Sequence, residues 1–241
     1  MKLYLNVPYS EKDEVKSLGA KWNAKIKKWY IDKRTDEYVK FSKWILRDTD
    51  DAIIAMEYVY IIEGKQKCWK CASDTKVIGL GIGESVHIYG EIEDPVYEIS
   101  EDYVELEELH LAWVDKEDDI PPKLLKYIKE NYSVKTGYSK TIGGKCFANH
   151  CDCCGALQGN WFLFNEPDSP LSSCVEGNEL EQRISKLKIK GIPIDDDLQL
   201  NWDIVICSND YAYFKYGKFE ELILSGDPNN EYISYEELYG L

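Results

Sequence analysis

Two pairs of cysteines carry the clearest chemistry in the chain. Cys68-Trp69-Lys70-Cys71 is a C-x-x-C, and Cys151-Asp152-Cys153-Cys154-Gly155 contains a second in the register Cys151/Cys154. Four thiolates in two short pairs are the ligand set of a closed tetrahedral zinc site. A tight turn between paired cysteines aims both sulfurs at one ion, while nearby backbone N–H groups stabilise the thiolates. Glycine tolerates the positive φ that such a turn needs after its second cysteine, which favours Cys154-Gly155 over a register through Cys153. Cys153, Cys146 and His150 stay open as substitute ligands. Four sulfur ligands leave no position for water or substrate, so the zinc is expected to be structural rather than hydrolytic. The competing reading, a redox-active thiol pair, lacks the βαβ surroundings of a thioredoxin-like motif. Cys174 and Cys207 read as buried thiols that behave as small hydrophobes.

A second group interleaves positive charge with flat rings: Lys21, Trp22, Lys25, Lys27, Lys28 and Tyr30. Lysines neutralise phosphates and aromatic rings stack on unpaired bases, which is the composition of single-strand nucleic-acid binders. Packing competes with this reading. A unit this small needs large side chains for its core, and Trp29, and equally Trp22, could serve there.

Charge divides the chain in the same place. Residues 1–47 hold 12 Lys and Arg against 6 Asp and Glu, although the whole chain carries a net charge of −15. A basic head therefore sits on a body of charge −21, and such a polarised molecule presents different fields to different partners. Solvation of both faces is the plain alternative.

The elements that must position these residues follow from periodicity. In the head, Leu3, Leu5 and Val7 alternate as a strand ended by Pro8. Ser10 is a candidate N-cap for a helix through Val15 and Leu18, closed by Gly19. A turn at Ala20–Asn23 leads to a strand at Lys28–Ile31, and Tyr38, Phe41, Trp44 and Ile45 recur at helical spacing. The sum is a small β-α-β-α module over residues 1–47. Asp48-Thr49-Asp50-Asp51 is a polar joint, and residues 52–241 form a larger acidic, β-rich domain. Strands are read at Ala52–Ile62, Val77–Leu80, Val86–Glu91, Pro95–Ile99 and Gln158–Phe164. Helices are read at Lys123–Asn131, Glu179–Lys188 and Tyr235–Tyr239, and Asp203–Cys207 with Tyr211–Tyr216 reads as a hairpin. Tyr103–His110 is ambiguous. The fold class is α+β, with a zinc-ribbon-like body. Its two cysteine pairs stand about 79 residues apart, so the ribbon must carry a long insertion.

Several function classes recede. The N-terminal apolar stretch is too short for a secretory signal, and no run approaches the roughly 18 apolar residues of a membrane span. A cytoplasmic protein without a membrane partner is the expectation, in keeping with metal-binding rather than disulfide-bonded cysteines. With 3 His in the chain and none in a nucleophile or metal motif, a catalytic triad is hard to assemble. Asp195-Asp196-Asp197 could hold Mg²⁺ but reads better as a solvated turn. Gly79-Leu80-Gly81-Ile82-Gly83 lacks the lysine of a phosphate loop and reads as a strand-end turn.

Residues 3–46 add a resemblance. Leu-Asn-Val-Pro-Tyr-Ser-Glu-Lys-Asp-Glu-Val-Lys-Ser-Leu-Gly-Ala-Lys-Trp-Asn, then Lys-Lys-Trp-Tyr-Ile, resembles a small bacterial module of no settled function. That module recurs attached to plasmid-transfer primases and other DNA-processing proteins, which implies nucleic-acid contact by association. The stretch Ala148–Leu163, with Glu166-Pro167, resembles the zinc-knuckle segment that follows this module in uncharacterised bacterial proteins and supports the Cys151/Cys154 register. The reading favoured here is a non-enzymatic, zinc-stabilised binding or adaptor protein whose head contacts nucleic acid. The alternative is a protein–protein regulator or inhibitor whose acidic body meets a basic partner, with no nucleic-acid role.

Overall fold

The computed structural model describes residues 1–32, 35–47, 49, 51–91, 94–99, 108–166 and 168–241. Asp48 and Asp50 of the polar joint lie outside the described residues, as does most of the ambiguous stretch Tyr103–His110.

The head folds as β1 (Leu3–Leu5), α1 (Lys12–Ser17), β2 (Lys21–Asn23), β3 (Lys28–Ile31) and α2 (Ser42–Ile45), the last preceded by a 3-10 turn over Thr35–Phe41. Its sheet has the order β1-β3-β2. The segment Lys21–Asn23, expected to turn, is a strand because Trp22 pairs across from Trp29 with ring centroids 5.5 Å apart. The turn comes later, where Lys27 adopts φ 56°. Ser10 does not cap α1: it lies in a 3-10 turn, and Glu11 precedes the helix without a side-chain cap. Gly19, at φ 102°, closes α1 as its position implied.

The body follows with β4 (Asp51–Ala55), β5 (Tyr58–Lys67), β6 (Asp74–Ile82), β7 (Ser85–Glu91), β8 (Asp94–Ile99), β9 (His110–Trp113) and α3 (Pro122–Asn131). Then come β10 (Val134–Ser139), β11 (Gly144–His150), β12 (Leu157–Gln158), α4 (Asn160–Phe164) and α5 (Asn178–Ile184). The last third is β13 (Lys188–Pro193), β14 (Leu198–Leu200), β15 (Asp203–Val205), α6 (Ala212–Tyr216), β16 (Lys218–Glu221) and α7 (Tyr235–Tyr239). The architecture is mixed α+β, with a six-stranded sheet β15-β9-β6-β5-β13-β16 and a four-stranded sheet β14-β4-β7-β8. A smaller sheet, β10-β11-β12, stands beside them.

The run Ala52–Ile62, read as one strand, is two strands in different sheets. Glu57, at φ 56°, breaks it. The two faces of each half then go to different cores. Ile53 and Ala55 meet Val59 and Ile61 between the large sheets, while Ala52 and Ile54 face the head and Tyr60 and Ile62 face α4–α6. Burial on both faces explains why these strands are continuously apolar rather than alternating. Residues 160–164 and 212–216 are short helices where strands were expected. Alternation over five residues cannot tell a strand from one turn of helix packed on a sheet, here by Leu163, Phe164, Ala212 and Tyr213. Of the glycine run only Gly83 lies in the bend after the strand; Gly79 and Gly81 lie inside β6. A Cβ at Gly81 would come within 2.8 Å of Ile62 and 3.0 Å of the His110 carbonyl, so small residues let neighbouring layers close on the strand.

The head's core is continuous with the body's. Leu3, Leu5, Phe41 and Ile45 pack in one cluster with Ile54, Val86 and Ile88 of the four-stranded sheet. Polar groups join them as well. The Asp197 N–H donates to the Lys2 carbonyl at 2.9 Å, the Lys2 N–H donates to Asp196 Oδ1 at 3.1 Å, and Tyr38 Oη donates to Asp197 Oδ2. The triple aspartate is therefore no solvated turn. Asp196 and Asp197 are 5% and 1% exposed and fasten the head to the body.

Cys174 and Cys207 also depart from expectation. They are bonded in a disulfide with their Cα atoms 5.6 Å apart, and Cys174 is exposed. Asp210 brings their loops together, accepting from Ser173 Oγ at 2.5 Å and from the Cys207 N–H at 2.9 Å.

Candidate metal centre

Hairpin β5–β6 ends in the first cysteine pair, and the second pair links β11 to β12. The two turns are built alike. In the first, the Cys68 N–H donates to Ser73 O at 2.9 Å and the Ala72 N–H to Cys68 O at 2.9 Å. In the second, the Cys151 N–H donates to Ala156 O at 2.8 Å and the Gly155 N–H to Cys151 O at 2.9 Å. Each turn also gives its first sulfur a backbone donor two residues on: Lys70 N to Cys68 Sγ and Cys153 N to Cys151 Sγ, both 3.4 Å. The residue after each pair is left-handed, Gly155 at φ 68° and Ala72 at φ 58°. The sequence marked this requirement in the second turn, through its glycine, and hid it in the first.

The four sulfurs of Cys68, Cys71, Cys151 and Cys154 lie within 4.8 Å of one another. Cys68–Cys154 and Cys71–Cys151 are each 3.7 Å apart. A tetrahedron with metal–sulfur bonds of ~2.3 Å has edges of about 3.8 Å, so the spacing fits one tetrahedrally bound ion. Cys153 is exposed outside this cluster, and Cys146 and His150 are likewise not part of it. The Nδ1 of His150 instead contacts the Ala148 carbonyl at 2.9 Å.

Without an ion the thiols are electrostatically unequal. Hydrogen bonds from Ser73 draw the Cys71 thiol down to about 6. The Ala156 backbone favours the Cys154 thiolate too, but burial and the neighbouring sulfurs outweigh it and push that thiol up to about 12. A cation resolves the conflict by stabilising all four thiolates together.

Groups that sequence reasoning passed over hold the two turns in register. The Asp152 N–H donates to Thr75 Oγ1 at 3.0 Å, and Asp152 Oδ2 accepts the Lys76 N–H at 2.9 Å. Gln158 Nε2 reaches Cys68 Sγ at 3.4 Å, and its Oε1 accepts from Gln66 at 3.0 Å. No local motif signals such groups; only the pairing of remote segments does.

The left-handed alanine makes a small prediction. A Cβ in this region costs ~1–2 kcal/mol, partly offset by the greater chain entropy of glycine. Ala72→Gly should stabilise the protein by about 0.5–1 kcal/mol, seen as a raised urea midpoint at unchanged slope.

Most basic residues of the head are drawn into separate contacts within the protein. Lys21 pairs with Asp32 and Lys25 with Glu236 of α7. Lys28 is half-buried, donates to Asn6 Oδ1 at 2.6 Å and lies 5.9 Å from the Tyr235 ring. Tyr30 is half-buried beside Tyr4, at 5.8 Å. Trp22 stays 49% exposed, Lys27 is exposed, and Trp29 packs partly against the shared core. Among the described residues no helix is long and apolar enough to cross a membrane.

Comparison with known proteins locates one part of the chain. Residues 2–45 match a domain of unknown function, DUF5710. The chain is also similar to two proteins named DNA primase TraC, both from Escherichia coli. One is 54% identical over 41 residues, 17% of this chain and 3% of the primase; the other is 44% identical over 52 residues, 22% of this chain and 5% of the primase. The similarity thus spans a small fraction of either relative. No solved structure matches the chain.

Proposed function

We propose that the chain is a non-enzymatic adaptor of DNA processing, in which the DUF5710 head contacts single-stranded nucleic acid and a zinc-ribbon body supplies a rigid platform. The observation that carries this reading is the similarity of part of this chain to proteins named DNA primase, taken with the DUF5710 match of the head. The geometry supports the zinc half: two like-built turns on β-hairpins, sulfurs at tetrahedral spacing and no open ligand position. The stretch between the cysteine pairs contributes β6 and β9 to the six-stranded sheet and β7 and β8 to the four-stranded one. On the head, Lys21, Trp22, Lys25 and Lys27 are the exposed members of the basic aromatic group. The ion pairs of Lys21 and Lys25 are exposed on the lysine side, and such pairs contribute only ~0–1 kcal/mol, so a phosphate can replace the carboxylate.

Fluorescence anisotropy of a labelled single-stranded oligonucleotide tests the head. Three phosphate contacts predict an affinity loss of on the order of 100-fold per tenfold rise in salt, and Trp22→Ala/Lys27→Glu should weaken binding at low salt. Absence of binding at low salt would refute this reading and turn attention to the acidic body as the contact for a basic protein.

A further inference from the structure

The two segments that build the four-cysteine cluster carry a charge opposite to that of the acidic body. Residues 64–76 and 133–158, the two segments that build the cysteine turns, hold seven lysines against two aspartates. Both aspartates are engaged locally. Asp74 pairs with Lys67 at 2.7 Å, and Asp152 accepts from the Lys76 N–H and from Ser133 Oγ, at 2.9 and 2.6 Å. Lys65, Lys70 and Lys135 are exposed and make no ion pair among the described residues. Next to Lys70, inside the first C-x-x-C, Trp69 is 73% exposed. Its Nε1 donates to the Leu157 carbonyl at 2.7 Å, beside β12. That bond fixes the indole to both cysteine turns and spares it the entropy of ordering when a ligand arrives.

We infer that the surface of these two segments is a second nucleic-acid contact, in which Trp69 stacks on an unpaired base while Lys65, Lys70 and Lys135 neutralise the adjoining phosphates. An indole held by a hydrogen bond yet exposed, on segments whose lysines make no ion pair among the described residues, fits a strand offering both anions and flat apolar faces. A basic protein partner would be repelled here. The surface lies outside the DUF5710 segment and stands independently of the head's proposed role.

The test uses the full-length, zinc-loaded protein and a labelled oligothymidine strand, with inorganic polyphosphate as competitor. Trp69→Ala should weaken binding at least fivefold with zinc content unchanged. Lys65→Glu/Lys135→Glu, which leaves the C-x-x-C untouched, should weaken it and flatten the salt dependence. Unchanged affinity in both variants would overturn the inference. Polyphosphate competition as strong as that of unlabelled strand, with no effect of Trp69→Ala, would overturn the stacking and leave a general anion surface. The head variant Trp22→Ala/Lys27→Glu separates the two proposals. Loss of binding there alone sinks this one and keeps the head's role. Loss only in the Trp69 and lysine variants does the reverse, and no binding by wild type at low salt removes both.

Discussion

Cys151→Ser should abolish metal binding by the four-cysteine cluster and lower the thermal midpoint by more than about 10 °C, whereas Cys153→Ser should change neither. The two residues are neighbours on one turn, yet only Cys151 belongs to the four-sulfur cluster. Structural zinc contributes apparent free energies of ~10–16 kcal/mol in small zinc domains, so a lost ligand removes a sizeable share even where the rest of the fold persists. The damage should centre on the small sheet β10-β11-β12, whose last strand holds two residues and depends on the second turn for its placement. Hydrogen exchange would show this as lost protection in residues 144–158, with β5 and β13 still protected. A chelator should reproduce the pattern in wild type, and acid should assist it. Thiolates bind the ion and thiols do not, so the stabilisation falls with falling pH as protons compete for the sulfurs. Metal analysis together with a thermal scan settles the matter: equal metal content in Cys151→Ser and wild type would dismiss these cysteines as ligands.

That site was legible because its chemistry needs few residue types at fixed spacing. The glycine after Cys154 fixed the register, since a left-handed residue is required there. Alanine fills the same role after Cys71 and gave no such sign. The groups that hold the turns together, Thr75, Asp152 and Gln158, were invisible because each acts on a segment remote in sequence. The strand β3 and helix α3 were readable from periodicity and from the prolines before α3. Short helices such as 160–164 were not, since a single turn has no period to detect. The head's lysines show the opposite difficulty. Their composition pointed to phosphates, but Lys25 and Lys28 meet α7, which lies more than 200 residues further along the chain. The basic character of the cysteine turns was equally hidden, dispersed over two segments of an acidic body.

The junction of head and body should respond to the removal of a single oxygen. Asp197 is 1% exposed, its Oδ2 accepts from Tyr38 Oη, and its Oδ1 has no hydrogen-bond partner among the described residues. Tyr38→Phe strips the carboxyl of its remaining side-chain donor while leaving the ring in the core. A hydrogen bond to a buried charged group carries ~1.5–3 kcal/mol, so a loss of about 2–3 kcal/mol is expected, read as a lowered urea midpoint. The same carboxyl sets a pH signature. Burial raises Asp197 above the ordinary carboxylate range, against the opposing hydrogen bond from Tyr38, and burial raises Asp196 beside it. A carboxyl raised in the folded state favours the fold most when protonated. Its contribution is fully present below the unfolded value of about 3.9 and is lost as pH rises through the folded value. Asp74, Glu117 and Glu237 carry the opposite slope, because hydrogen bonds from Lys67, Lys129 and Lys123 lower them. The bare stability curve therefore mixes both signs, and the difference between wild type and Asp197→Asn isolates one. Asparagine keeps an acceptor for Tyr38 and carries no charge to desolvate. The stability of Asp197→Asn relative to wild type should rise between about pH 4 and pH 7, and most steeply just above the ordinary carboxylate range. A flat or falling difference would mean that Asp197 titrates normally and that the buried junction does not set the pH response.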